Sequence, residues 1–183
     1  MRVVPVAGAV SFLAVGDWGK QGDPTQRQVA SAMGNAAATL GAQFVLSTGD
    51  NFYPNGVRSA ADRQFLTSFE NVYRDSALAI DWYPALGNHD YHANPDAEVA
   101  YSAKSSRWRM GARYYAVTKT VAPDVTVEFF IIDTSPFIAE YYSRPWQYAL
   151  AATDTAAQRR WLESALKASR AQWKFIVDRK SVV

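Results

Sequence analysis

Apolar and polar positions follow one another along the chain in blocks that predict short strands separated by helices. Short apolar runs are typical of buried strands, and apolar positions three or four residues apart are typical of amphipathic helices. The predicted strands are Val10–Val15, Phe44–Leu46, Trp82–Leu86, Tyr114–Val121, Val125–Ile132 and Trp173–Val177. The predicted helices are 24–40, 60–73 and 155–169. This alternation predicts an α/β fold with a parallel sheet.

Residues at the ends of these elements support the assignment. Asp23 suits the N-cap of the first helix, Pro24 suits its first position, and Gly41 suits its end. The expected buried face of this helix consists of Val29, Met33 and Leu40. A turn at Ala122-Pro123-Asp124 joins the fourth and fifth predicted strands, which indicates a hairpin.

Polar residues directly follow three of the predicted strands, each time after a glycine. The three segments are Gly16-Asp17-Trp18-Gly19, Gly49-Asp50-Asn51-Phe52-Tyr53 and Gly87-Asn88-His89-Asp90. Ligands of α/β proteins collect beyond the carboxyl ends of parallel strands, so these segments should meet in one cleft. The sequence between successive segments holds one predicted helix and one predicted strand, as a right-handed crossover requires. The residues expected in the cleft are Asp17, Asp50, Tyr53, Asn88 and His89.

The residue types of this cleft indicate a pair of metal ions. The carboxylates of Asp17 and Asp50 would repel each other unless cations neutralise them, and one carboxylate can bridge two ions. The phenolate of Tyr53 favours a trivalent ion such as Fe(III), whereas the amide oxygen of Asn88 suits a divalent ion such as Zn, Fe(II) or Mn. His89 is expected to hydrogen-bond a phosphate or to protonate a leaving alcohol.

Each of these segments also has an ordinary structural explanation. A Gly-Asp pair after a strand is commonly a turn, Tyr53 alone suits a packing residue, and His89 alone suits a surface or capping residue. The joint order of the three segments at strand ends favours the metal site. Asp90 is expected to orient the His89 ring. The residues expected to form walls of the cleft are Trp18, Asn51 and Phe52.

Composition excludes several other classes of protein. The net charge is only +2, which gives no electrostatic reason to infer a nucleic-acid partner. The sequence contains no Cys, so disulfides and thiolate metal sites are excluded. No apolar run reaches the roughly 20 residues that a membrane span needs. The sequence also lacks a Gly-x-Ser-x-Gly motif, a P-loop and a dinucleotide-binding motif.

The three segments resemble the first three motifs of the purple acid phosphatases, within the calcineurin-like metallophosphoesterase superfamily. The similarity extends from Val10 to Val177 and is greatest to the small, tartrate-resistant type. The resemblance implies a four-layer α/β/β/α sandwich whose second half is incomplete here. It also implies that Asp17 and Tyr53 bind Fe(III), that Asp50 bridges, and that Asn88 binds the divalent ion, Fe, Zn or Mn. By the same resemblance, His89 contacts the substrate.

The resemblance implies an acid phosphatase that hydrolyses small phosphate monoesters and is secreted, periplasmic or lysosomal. Two alternatives stay open at this point. One is a phosphodiesterase or nucleotide hydrolase of the same superfamily, against which Tyr53 counts because relatives outside the purple acid phosphatases usually lack it. The other is a non-catalytic binding module on the same scaffold.

The family also uses three later His ligands, and this sequence contains only two His in total, His89 and His92. His92 is expected at the surface or at the rim of the cleft. We therefore expect the 183-residue chain to be inactive. The predicted strand Trp173–Val177 would lack its later neighbours and leave an apolar sheet edge, so we also expect the chain to be poorly soluble. Residues 10–177 are interpreted as the metallophosphoesterase part and residues 1–9 as a possible remnant of an export signal. The tail 178–183 has the sequence that a common short-read sequencing adapter encodes, and it is interpreted as non-native.

Overall fold

The computed structural model describes residues 8–145, 147–150 and 153–179, and within these ranges the predicted α/β fold is confirmed. The strands are β1 Phe12–Val15, β2 Phe44–Ser47, β3 Asp81–Pro84, β4 Tyr115–Ala122, β5 Val125–Ile131 and β6 Trp173–Val177. The α-helices are α1 Pro24–Leu40, α2 Asp96–Tyr101, α3 Ala139–Tyr142 and α4 Thr155–Ala168. Most of the segment 1–9 and of the tail 178–183 lies outside the described residues.

The first sheet is parallel and has the strand order β1-β2-β3. Its register pairs Phe12 with Phe44 and Leu46 with Tyr83. Because the three strands run in the same direction, their carboxyl ends lie at one edge of the sheet. The three polar segments therefore begin side by side, as the sequence predicts.

The second sheet has the order β4-β5-β6 and mixes two directions of pairing. Strands β4 and β5 form the predicted antiparallel hairpin, and β6 pairs in parallel with β5. The two sheets pack together through aromatic side chains. Phe129 of the second sheet lies 5.2 Å from Phe12 and 5.3 Å from Phe44, measured between ring centroids. An aromatic layer therefore holds the sheets together.

The other face of the first sheet covers a second, larger aromatic cluster. Val45 of β2 points to this face, because successive side chains of a strand alternate between faces. The buried rings of this cluster include Trp18, Phe52, Phe65, Phe69, Tyr73, Trp82 and Trp108. Two of the three polar segments contribute a ring to the cluster, and this contact anchors them to the core.

Helix α1 packs with a different face from the one that the sequence predicts. Its boundaries are confirmed: the Asp23 side chain accepts a hydrogen bond from the Gln26 backbone at 2.7 Å, and Gly41 adopts a left-handed conformation with φ of 60°. Its buried residues, however, are Gln26, Ala30, Gly34 and Ala37, and Val29 is 41% exposed. A side chain at Gly34 would collide with Asp75. The close packing requires small residues on this face of α1. A search of the sequence for large apolar side chains therefore does not find it.

The predicted helix over residues 60–73 is largely wrong. Only Phe65–Glu70 is helical, as one π-helical turn, and loops surround it. The aromatic spacing still identified buried residues correctly, since Phe65, Phe69 and Tyr73 are each at most 1% exposed. The loop before this turn is held by Asp62, whose side chain accepts backbone hydrogen bonds and so competes with helix formation.

Strand β6 lies at the edge of the second sheet and exposes apolar side chains. Trp173 is 64% exposed, Ile176 is 54% exposed and Phe175 is 43% exposed. An exposed apolar edge strand is a template for pairing with another chain. Among the described residues, none of the helices is long and apolar enough to cross a membrane.

We expect Ile176→Lys to reduce self-association of the 183-residue chain, because a charge on an exposed edge strand opposes pairing with a second edge. Sedimentation velocity at several concentrations measures the effect. Phe175→Lys is the matched control, because the Phe175 ring also stacks on Phe129 at 5.2 Å and its loss should destabilise the fold. Unchanged association of the Ile176→Lys chain would refute the prediction.

Candidate metal centre

Asp17 and Asp50 lie in the turns after β1 and β2, and their side chains converge at the edge of the sheet, where both contact the Tyr53 hydroxyl. Both residues adopt left-handed backbone conformations, with φ of 60° and 52°. This region is uncommon for residues other than Gly, and Asp is among those that tolerate it. The Tyr53 hydroxyl donates to Asp17 at 2.5 Å and lies 3.2 Å from Asp50. The structure thus brings together three of the predicted ligands.

The third segment packs directly against the second. The backbone N–H of His89 donates to the Asp50 carboxylate at 2.9 Å. At Gly87 the two backbones approach so closely that a side chain would overlap Asp50. Asn88 lies between Gly87 and His89 in the chain and is half-buried. The need for close approach explains why a glycine stands at this position.

Arg179 shows that the two carboxylates can share one positive charge. Its guanidinium donates to Asp17 at 2.6 Å and to Asp50 at 2.9 Å. It lies just beyond β6, and the Asp50 side chain that it contacts is only 1% exposed. The sequence reasoning gave Arg179 no role, because it assigned residues 178–183 to a non-native tail. This contact shows that Asp17 and Asp50 lie close enough to pair with one cationic side chain.

The surroundings of Tyr53 raise the pKa of its phenol and favour the neutral form. Burial is the largest cause that raises the pKa of the Tyr53 phenol, and the hydrogen bond to Asp17 and the charge of Asp50 raise it further. The phenol therefore stays protonated beside the two carboxylates. A bound metal ion reverses this effect, because its own charge favours the phenolate. Within the described ranges, no group of three or more His, Cys, Asp or Glu side chains could hold a metal.

His89 is held by a backbone carbonyl at the side of the cluster. Its Nδ1 lies 2.6 Å from the Pro54 carbonyl oxygen, which can only accept, so Nδ1 carries a proton. Its ring centroid is 4.3 Å from that of Tyr53. This arrangement leaves Nε2 as the ring nitrogen available to a substrate. His92 is half-buried with its ring 4.9 Å from that of His89, a position that agrees with the predicted cleft rim.

The prediction that Asp90 orients the His89 ring is wrong. The Asp90 carboxylate is fully buried and accepts backbone hydrogen bonds from Asn51, Phe52 and Gly87, at 2.9, 3.1 and 2.8 Å. It therefore ties the second polar segment to the third. The Pro54 carbonyl takes the orienting position instead. The sequence could not distinguish these arrangements, because neighbours in a tight turn need not point the same way.

Of the three residues predicted as cleft walls, Trp18 lines a small cavity together with Asp17, whereas Asn51 and Phe52 line no cavity that contains a predicted site residue among the described residues. Trp18, Asn51 and Phe52 are at most 4% exposed and belong to the core. The Trp18 indole donates to Ser47 at 2.8 Å, and the Asn51 amide donates to the Glu98 carboxylate at 2.9 Å. These hydrogen bonds anchor the first and second polar segments to the core. Large rings next to ligand residues thus anchor the loops in this fold.

Glu98 on α2 is a buried acid that the sequence reasoning missed. It is 0% exposed and interacts electrostatically with Asp90. Burial raises the pKa of Asp90 to about 7, and burial together with the Asp90 charge raises the pKa of Glu98 well above its usual value. The signal that could have revealed it is an acid placed between Ala97 and Tyr101, which are both buried.

The structure brings two carboxylates and a phenol together at the carboxyl edge of a parallel sheet, and Asn88 follows the third strand of the same sheet. The sequence profile of the family described as calcineurin-like phosphoesterase matches residues 10–181, and the chain belongs to this family. It is 38% identical to purple acid phosphatase 17 of Arabidopsis thaliana, over 93% of this chain and 51% of that protein. It is also 38% identical to tartrate-resistant acid phosphatase type 5 of Sus scrofa, over 90% of this chain and 52% of that protein.

These relatives confirm the resemblance to purple acid phosphatases. The chain spans about half the length of the curated relatives it matches. A solved structure titled as GAP50, the anchor in the inner membrane complex of Plasmodium, superposes with a TM-score of 0.75. It covers 92% of this chain and 54% of the other at 21% identity, so it supports the fold alone.

Proposed function

We propose that this chain supplies the first ligands of a two-metal acid phosphatase that hydrolyses small phosphate monoesters. The observation that carries the proposal is the convergence of the Asp17 and Asp50 carboxylates on the Tyr53 phenol, at the carboxyl edge of the parallel sheet. In this proposal Asp17 and Tyr53 hold Fe(III), and Asp50 bridges. Asn88 holds the divalent ion, which would be Fe, Zn or Mn.

The bound ions would supply charge neutralisation and Lewis acidity for the phosphate. The residues of the chain would position the ester and supply the proton for its leaving group. The ammonium of Lys20 lies 5.4 Å from the Tyr53 ring centroid, where it adds positive potential for an anionic substrate. His89, fixed through Nδ1 by Pro54, presents Nε2 and would protonate the leaving alcohol. The products are an alcohol and inorganic phosphate.

We also propose that the 183-residue chain alone does not catalyse hydrolysis of phosphate esters. The sequence has only His89 and His92, whereas the family uses three further His ligands that neither residue replaces. In the same proposal, residues 178–183 come from adapter read-through. Sequencing the locus from source DNA tests this part, because a natural gene would encode those six codons. By the family resemblance we propose a secreted, periplasmic or lysosomal location for the intact protein.

The metal proposal predicts a visible band on addition of Fe(III) that Tyr53→Phe abolishes, because a charge-transfer band needs the phenolate on the ion. Visible absorption during an Fe(III) titration measures it, on the 183-residue chain and on the product of the full reading frame. Tyr83→Phe is the matched control, since that hydroxyl bonds Asp81 on a different part of the sheet. A band that survives in Tyr53→Phe would exclude this ligand.

A further inference from the structure

The His89 ring packs against a second imidazole, that of His92, to which the proposed function gives no role. The two ring centroids are 4.9 Å apart, and the Tyr53 ring centroid lies 4.3 Å from that of His89. We propose that His92 is a positioning residue, which holds the His89 ring in the orientation that presents Nε2 to the leaving alcohol. The inference rests on the proposed function, because it concerns the residue proposed there as the proton donor.

Both imidazoles are directed at the same backbone carbonyl. Nδ1 of His89 lies 2.6 Å from the Pro54 oxygen, and Nδ1 of His92 lies 3.3 Å from it. A carbonyl oxygen has two lone pairs and can accept from both rings. A single hydrogen bond at Nδ1 still permits the His89 ring to tilt, so the carbonyl alone does not fix the direction of Nε2. Contact with the His92 ring restricts this tilt.

His92 is itself held in place by the segment that follows α3. The Tyr148 ring centroid lies 4.9 Å from that of His92 and 4.2 Å from that of Tyr141. The amide nitrogen of Gln147, which can only donate, lies 3.5 Å from Nε2 of His92. With Nδ1 directed at a carbonyl and Nε2 at an amide N–H, the His92 ring has a defined orientation. A ring whose own orientation is fixed can restrain its neighbour.

His92 provides this contact without adding charge. Burial is the largest cause that lowers the pKa of His92 below its ordinary value, and the neighbouring His89 lowers it further. The lowered pKa favours the neutral imidazole, whose Nδ1 carries the proton because the Pro54 oxygen only accepts. A neutral ring is compatible with a neighbour that carries the proton for the ester, whereas two imidazolium rings in contact would repel each other.

Nuclear magnetic resonance can test the contact without metal, because the sequence contains only two His. Proton–nitrogen correlation spectra of the imidazoles, recorded at about pH 8 and thus above the ordinary His pKa, report the tautomer of each ring. We expect His89 to be protonated at Nδ1 in the 183-residue chain and in its His92→Phe variant, which keeps a ring. In His92→Ala we expect a mixture of both tautomers. All the chains compared carry Ile176→Lys, which limits association at the exposed β6 edge.

Kinetics of the enzyme from the full reading frame test the consequence for proton donation. His92→Ala should lower kcat for β-glycerophosphate at least about tenfold more than kcat for p-nitrophenyl phosphate, because nitrophenolate leaves with little need of a proton. KM for β-glycerophosphate should stay within about twofold, and His92→Phe should restore most of kcat. Tyr114→Ala is the matched control, because it removes a half-buried ring that packs on Trp161 at 5.0 Å, and it should affect both esters equally.

His92→Asn separates the ring contact from the hydrogen bond, because Asn keeps an N–H that can reach the Pro54 oxygen but has no ring. It should behave like His92→Ala, and it carries the same test if the Ala variant does not fold. Behaviour of His92→Asn like that of the original chain would overturn the ring contact. Equal loss of kcat on both esters in His92→Ala would also overturn the proposal.

The two measurements separate failure of this inference from failure of the proposed function. If the enzyme hydrolyses both esters and the His89 tautomer is the same in all His92 variants, only the positioning role fails. If neither ester is hydrolysed while the His89 tautomer still depends on the His92 ring, the proposed function fails and the contact between the two rings stands.

Discussion

Replacing Asp50 by Asn should lower the affinity of the chain for Fe(III) by at least about a hundredfold. Loss of a group that merely supports a metal ligand costs about 10- to 100-fold, and Asp50 is proposed as a ligand itself. The carboxylate is 1% exposed and takes hydrogen bonds from Tyr53, the His89 backbone and Arg179. Asn keeps an oxygen for the His89 backbone but removes the charge. The fold should therefore persist while the cation site is lost.

Equilibrium dialysis with metal analysis measures this loss, and circular dichroism verifies that the variant is folded. Asp81→Asn is the matched control, because that carboxylate pairs with Arg109 at 2.8 Å and both side chains are substantially exposed. An exposed ion pair contributes little to stability, so Asp81→Asn should bind metal like the original chain. Equal affinity of the Asp50→Asn and Asp81→Asn chains would contradict the assignment of Asp50 as a ligand.

The parallel direction of the first sheet and the cluster at its edge could be predicted because both depend on local signals. A glycine follows each of the three strands within three residues, and polar residues come directly after the glycine. Parallel strands then place Asp17 and Asp50 together whatever the details of the loops. The positive φ angles of Asp17 and Asp50 were not predicted from the sequence. The backbone at these turns is set by contacts with the next segment, such as the close approach at Gly87.

The direction of side chains beside the ligands could not be predicted in the same way. Trp18 and Asp90 each stand next to a site residue in sequence, yet both point into the core. Their partners, Ser47 for Trp18 and the Asn51 and Phe52 backbones for Asp90, lie 29 to 39 positions away. Such partners can be identified only from the folded structure, because the assembled strands bring them together. A motif identifies which residue types are present, and the packing decides which of them face a ligand.

The buried pair Asp90 and Glu98 should make the fold less stable as pH rises from about 4 through about 7. Burial raises the pKa of Asp90 to about 7, and burial with the Asp90 charge raises the pKa of Glu98. The folded chain therefore holds protons that the unfolded chain releases near pH 4. The stability this gives is fully present below about pH 4 and is lost as pH rises through about 7. We expect a loss of roughly 2 to 4 kcal/mol in the free energy of unfolding.

Glu98→Gln should flatten this dependence, because the amide still accepts from Asn51 and can donate to Asp90, whose pKa then falls. Urea unfolding at several pH values measures the slope for both chains. Asp133 is also buried with its pKa raised to about 7, so it adds a loss of the same sign to both chains and drops out of the comparison. Glu140→Gln, which removes an exposed partner of Arg144, should leave the slope unchanged. An equal slope in Glu98→Gln and the original chain would mean that the pair shares no proton, and that the hydrogen bonds of Asp90 hold the two metal-site segments without help from Glu98.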